Sequence, residues 1–175
     1  MVSWNRCLGI FCVLSAVFVV NSSWILLPRF AGQKMPDSYA GGEYLGNVGV
    51  VMQTSYNDCA PASLQMVLDR YEIPSTVGEL TRRLKPGVNG STMLALRDLA
   101  EAKGLHAEGW RLRLQDFLTA QFPAILFIPK NHFVVADSVG SGNVFLRDPA
   151  VGRIKLPVSE LPGVWNGEAL VFRKE

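Results

Sequence analysis

Apolar residues recur with two different periods along this chain, and the change falls near residue 105. Between residues 58 and 104 the spacing is helical. Asp58-Cys59-Ala60-Pro61 opens a predicted helix that runs to about Tyr71. Pro61 suits a first turn, and Leu64, Val67, Leu68 and Tyr71 fall on one face. Thr76-Val77-Gly78-Glu79 has the form of a capping box, predicting a short helix that ends near Leu84. Ser91 is expected to cap a third helix, with Met93, Leu96, Leu99 and Ala100 inward and Lys103-Gly104 as its stop. From Leu105 onward short apolar runs alternate with turn residues. They predict strands at 105–112, 123–128, 132–138, 144–147, 153–156 and 168–172, with short helices at 114–120 and 158–162. Residues 139–143 read as a hairpin loop and 148–152 as a turn. Helices segregated from an antiparallel sheet predict an α+β domain.

The first thirty residues follow neither pattern. Residues 7–27 carry no charge and are interrupted only by Asn21-Ser22-Ser23. As a helix they reach about 30 Å, enough to cross a hydrocarbon core. Trp4 and Trp24 stand near the two ends, where aromatic rings favour the interface. The rival reading is a signal peptide cleaved near Val20-Asn21-Ser22, although the apolar run continues to Leu27. Arg6 and the amino terminus favour an N-inside orientation. Residues 1–27 are therefore expected to be a signal anchor or signal peptide, and 28–47, rich in Gly, Pro and polar residues, a tether. The body, 48–175, is then expected outside the cytoplasm. It would be held at the membrane by one span, or be released outside the cytoplasm after cleavage.

The remaining length allows one domain. With 49% hydrophobic and 18% charged residues, disorder is excluded as a description of the whole. Lys and Arg number 17 against 15 Asp and Glu, a net charge of +2. That balance, with no basic stripe, argues against a nucleic-acid partner. Three cysteines are too few for a disulfide scaffold. Cys7 and Cys12 read as small apolar residues of the span, which leaves Cys59 as the only thiol of the body.

Three positions carry chemistry. Cys59 sits at a helix N-terminus, where unpaired N–H groups and the helix dipole favour thiolate. Gln53, six residues earlier in an irregular segment, can point its side-chain NH₂ back and form an oxyanion hole with the Cys59 N–H. A buried structural cysteine is nevertheless the commoner fate of a free thiol. His132 opens an apolar strand, and its imidazole can take the thiol proton and deliver it to a leaving amine. A hairpin centred near Gly140 or Ser141 sets His132 opposite positions 148 to 150, within reach of Asp148. Asp137 is five residues from His132 in one strand and so points to the other face. Asp148 also suits a plain Asp-Pro turn. His106, with no acidic partner suggested, reads as structural or surface. The spacing of Cys59, His132 and Asp148 lacks the close ligand pair usual for zinc, and no metal or cofactor is expected.

The segment from Gln53 through Cys59 to Ser63, with Asn131-His132-Phe133-Val134-Val135 and Asp148-Pro149-Ala150-Val151-Gly152, resembles the C39 peptidases. These are papain-like enzymes that process bacteriocin precursors. The three blocks come in the family's order, and Gly90-Ser91-Thr92-Met93 and residues 168–172 fit its flanking pattern. The resemblance covers roughly residues 48–173. It implies a papain-like fold with N-terminal helices packed on an antiparallel sheet. It assigns Cys59 as nucleophile, His132 as general base and then acid, Asp148 as orienter and Gln53 as oxyanion donor. Members fused to ABC exporters cut leader peptides after Gly-Gly, so the implied substrate is a peptide or protein precursor. A secretion or export system is the implied partner, and a narrow pocket for small residues is a family-level expectation. This chain carries an apolar N-terminal segment instead of a transporter, and resembles the stand-alone exported members. Ala60 stands where many members have Gly. Two other readings use the same cleft: a module that presents a peptide without cutting it, and an amidase or transferase passing the acyl group to an amine.

Overall fold

A computed structural model describes residues 37–174 of the chain. The apolar run at 7–27, expected as an anchor or signal peptide, lies outside the described residues. Among those described, no helix is long and apolar enough to cross a membrane.

After a 3-10 turn and a two-residue strand come three helices: α1 (Cys59–Arg70), α2 (Val77–Leu84) and α3 (Met93–Glu101). They pack on a sheet built from β1 (Glu43–Tyr44), β2 (His106–Arg111), β3 (Ala124–Ile128), β4 (His132–Gly140), β5 (Asn143–Asp148), β6 (Gly152–Pro157) and β7 (Glu168–Arg173). The order across the sheet is β1-β6-β5-β4-β3-β7-β2, and every pairing is antiparallel. Short helices α4 (Leu114–Phe117) and α5 (Leu161–Val164) complete an α+β domain.

Central strands are apolar at successive positions because both faces of the sheet are covered. Side chains alternate between faces along a strand. Ile125, Phe133, Val135, Leu170 and Phe172 join the core under α1, α2 and α3, with Leu64, Leu68, Leu80, Leu96 and Leu99. Their neighbours Leu126, Val134, Ala136 and Ala169 join a second core with Phe117, Leu146, Ile154, Leu161 and Trp165.

One irregularity in β4 positions the site. The β4–β5 hairpin turns through Ser141 and Gly142, both at positive φ, so the strands run closer to the tip than the expected loop of 139–143. Near the tip Ser138 lies across from Phe145, but beyond it Ala136 lies across from Leu146. Asp137 is the extra residue of a β-bulge. Past it, Val135 is opposite Arg147, and continuing that register sets His132 across from Ala150. Without the bulge His132 would fall across from Val151. A one-residue slip reverses which face a side chain occupies, so His132 and Asp148 share a face because of the bulge.

Two helix starts differ from their expected form. Thr92, not Ser91, caps α3, its Oγ1 accepting from the Ala95 N–H at 3.1 Å, three residues on as cap geometry requires. Thr76 caps α2 as expected, accepting from the Glu79 N–H at 3.2 Å. The Glu79 carboxylate pairs with Lys103 on the neighbouring helix's end, leaving the box half formed.

The last part of the segment expected as a tether belongs to the sheet. A 3-10 turn at Asp37–Tyr39 leads into β1, whose Glu43 and Tyr44 pair with Lys155 and Ile154 of β6. Tyr39 is buried at 1% exposure in the second core, an apolar anchor that a Gly-rich composition conceals.

Candidate active site

Cys59 is the first residue of α1 and is buried. Its partner elements are fixed by the loop that joins β3 to β4. There Lys130 and Asn131 both adopt positive φ, a conformation Asn tolerates better than most residues. The turn brings the Asn131 carbonyl to 4.0 Å from Cys59 Sγ and starts β4 at His132 beside the thiol.

His132 and Asp148 meet as a close pair. Nε2 of His132 lies 2.7 Å from Oδ1 of Asp148. Since Nε2 is used by the carboxylate, Nδ1 is the nitrogen left for Cys59, whose side chain also interacts with the ring. Burial pushes the imidazolium toward deprotonation. Hydrogen bonds to Asp148 and Cys59, and the charges of both, more than offset it and raise His132 from 6.5 to about 9.

Asp148 is buried at 2% exposure and its oxygens are occupied on both sides. Oδ1 also accepts from the Ala150 N–H at 2.7 Å, the local bond that an Asp-Pro turn provides. Oδ2 accepts from the hydroxyl of Tyr39 at 2.7 Å. Burial and the neighbouring carboxylate hold the Tyr39 hydroxyl well above its ordinary 10, so it stays a donor.

Gln53 is placed by two anchors. Its N–H donates to the Pro149 carbonyl at 2.9 Å, tying the loop before α1 to the turn that carries Asp148. Asp58, buried at the start of α1, does not cap the helix with its side chain. Its carboxylate accepts instead from Thr54 N–H, Thr54 Oγ1 and Ser55 N–H at 2.9–3.1 Å. Burial opposes its charge, but these hydrogen bonds prevail and lower its pKa. Oε1 of Gln53 is buried with no hydrogen-bond partner among the described residues. That oxygen is an acceptor, so the group that would satisfy it is an N–H or O–H donor.

A cavity of about 330 Å³ adjoins this cluster, lined by Met93, Phe127 and Phe133 with Ser91, Thr92 and Asn131. The larger cavity, about 510 Å³, lies along α3 and β2 around His106 and Trp110 and shares no lining residue with it.

The other two candidates are accounted for elsewhere. Asp137, expected on the face away from His132, is held by Arg147 Nε and Nη2 at 2.9 and 2.6 Å. His106, expected without an acidic partner, lies between Glu101 and Glu108 at 3.0 and 2.9 Å. Glu101 approaches from α3, which strand spacing alone does not reveal.

Residues 47–175 match the model of the peptidase C39 family. The chain belongs to that family. It is a cysteine peptidase. An uncharacterized protein of Methanothermobacter marburgensis is 30% identical over 132 residues, covering 75% of this chain and 93% of that protein. The colicin V secretion/processing ATP-binding protein of Escherichia coli is 28% identical over 123 residues, covering 70% of this chain but 18% of the exporter. Among solved structures, a double glycine motif protease from an AMS/PCAT transporter, in complex with its leader peptide, superposes with a TM-score of 0.69. It is 30% identical and covers 72% of this chain and 91% of that one. As a C39 peptidase the chain has its expected fold, and the matched region begins eight residues after Tyr39.

Proposed function

We propose that this C39 peptidase cleaves a peptide or protein precursor through a Cys59 acyl-enzyme. The observation that carries the reading is the 2.7 Å contact of His132 Nε2 with buried Asp148, which turns Nδ1 toward Cys59 at the head of α1. The thiolate attacks the scissile carbonyl carbon, forming the S–C bond as the carbonyl π electrons move to oxygen. The Cys59 N–H and the Gln53 side-chain NH₂ receive that oxyanion. On collapse the C–N bond breaks, and His132 gives its proton from Nδ1 to the departing amine. The now neutral imidazole takes a proton from water, whose oxygen attacks the thioester and releases the acid. Asp148 keeps the ring in plane and stabilises the imidazolium.

Small residues such as Gly-Gly before the scissile bond are the proposed preference, supported by the leader-peptide complex of the transporter protease. The Met93, Phe127 and Phe133 cavity offers room for an apolar side chain farther along the precursor. The uncharged run of residues 7–27 supports placing the peptidase outside the cytoplasm, in the service of an export system.

Peptides carrying Gly-Gly before a defined cleavage position, incubated with the full chain and read by mass spectrometry, test the reading. Wild-type protein should cut them and Cys59→Ala should not. Cleavage by Cys59→Ala at the wild-type rate would refute it. New amide product on adding a nucleophilic amine would mark a transferase instead.

A further inference from the structure

The segment ahead of the family match reaches into the site from the sheet edge. Tyr39 and Asp148 are 109 residues apart in sequence, yet their side chains meet at 2.7 Å in the second core. The residues between Tyr39 and the matched region strap the same turn. Gly42 N–H donates to the Tyr39 carbonyl at 2.9 Å, closing the turn before β1. Leu45 N–H donates to the Arg153 carbonyl at 2.8 Å, and Arg153 N–H to the Gly46 carbonyl at 2.7 Å. Gly152, which ends the Asp148 turn at φ +123, has no room for a side chain. A Cβ there would stand 2.7 Å from the Tyr44 ring and 2.9 Å from the Gly46 carbonyl.

We infer that Tyr39 is a positioning residue of the peptidase, and that residues 37–46 are a working part of the active site. This rests on the acyl-enzyme reading above for its consequence in turnover. The physical reason lies in how the Asp148 carboxylate is shared. Oδ1 serves two donors, Nε2 of His132 and the Ala150 N–H. Among the described residues Oδ2 accepts from the Tyr39 hydroxyl alone. With both oxygens engaged the carboxylate cannot turn about its Cβ–Cγ bond, so Oδ1 stays on Nε2. Removing the hydroxyl leaves Oδ2 buried and unpaired, and frees that rotation. Local turn geometry does not replace it, because the Ala150 bond holds only the oxygen that His132 already uses.

The groups that face the pair are few. Asp148 reaches His132 from β5 and Cys59 from α1, while Tyr39 reaches Asp148 from the segment before β1. A His132 titration therefore reads the orientation of Asp148 directly.

The test compares Tyr39→Phe with Tyr71→Phe in the full chain. Tyr71 is a half-buried tyrosine whose hydroxyl donates to the Phe172 carbonyl at 2.9 Å, beside the other core. Imidazole NMR resonances give the His132 midpoint without substrate, and Gly-Gly peptide cleavage gives kcat and KM. Tyr39→Phe should lower the His132 midpoint and reduce kcat about tenfold with KM unchanged, the loss expected of one hydrogen bond to a charged group. Tyr71→Phe should change neither. In the double variant with Asp148→Asn, the Tyr39 substitution should add no further loss of kcat. An unchanged midpoint, or one that rises, would overturn the positioning role. Equal losses of kcat in the two tyrosine variants would overturn it too, by reducing Tyr39 to a stability element. The titration stands even if no peptide is cut, so failure of the peptidase reading remains distinct from failure of this one.

Discussion

Replacing Asp148 by Asn keeps the shape of the side chain and removes its charge from beside His132. In the wild type, burial works against the imidazolium, and the hydrogen bonds and charges of Asp148 and Cys59 raise the ring from 6.5 to about 9. Each unit of such a rise is a differential interaction of about 1.4 kcal/mol, so the whole rise is on the order of 3 kcal/mol. Asp148 is first among the raising contributions. Without it only the hydrogen bond and charge of Cys59 oppose burial, and the His132 midpoint in Asp148→Asn should fall well below 9. The chain has two histidines, so an imidazole NMR titration resolves the residue directly. Two further readouts follow from the sign of the shift. A folded-state value above the ordinary one adds stability that is complete below about 6.5 and disappears as pH rises through about 9. Wild-type melting temperature should therefore fall across that window, while the variant should show no such fall there. Under the proposed mechanism the basic limb of peptide turnover should likewise retreat from about 9 toward 6.5, because the imidazolium assigned to protonate the leaving amine is lost earlier. A variant whose His132 still titrates near 9 would refute the reasoning, since Asp148 would then not be what sustains the charge.

If Gln53 donates to the oxyanion as proposed, Gln53→Ala should lower kcat by about 10²–10³ with little change in KM, and steady-state kinetics with the Gly-Gly peptide would show it. Gly152→Ala places a Cβ 2.7 Å from the Tyr44 ring at φ +123, and should cost about 2–4 kcal/mol, read as a melting temperature lower by roughly 5–15 °C. Asp58→Ala removes the acceptor that holds Thr54 and Ser55, and should reduce kcat through Gln53 while leaving His132 titration unchanged.

Much of this protein was decided by short-range rules visible in its residues. Helical spacing after Cys59, the cap at Thr76 and the change to short apolar runs after Leu105 each follow from local backbone preference, and α1, α2 and the strands lie close to where they are expected. The approach of Cys59, His132 and Asp148 to one another was legible as well, because a thiol at a helix head and an imidazole at a strand start are local features, joined by a hairpin that can be counted. The count, however, reaches the right face only through the bulge at Asp137, and nothing around Asp137 in the sequence announces an extra residue. Tyr39 was illegible for a different reason. It stands alone in a Gly- and Pro-rich stretch with no period, and its partner lies 109 residues away. The same holds for His106, whose Glu101 partner arrives from a helix packed beside the strand. Periodicity reports which face of an element is buried. Which distant side chain waits at that face is settled by how the elements pack, and in this molecule that packing set the donor on Oδ2, the orphaned Gln53 Oε1 and the shared face of His132 and Asp148.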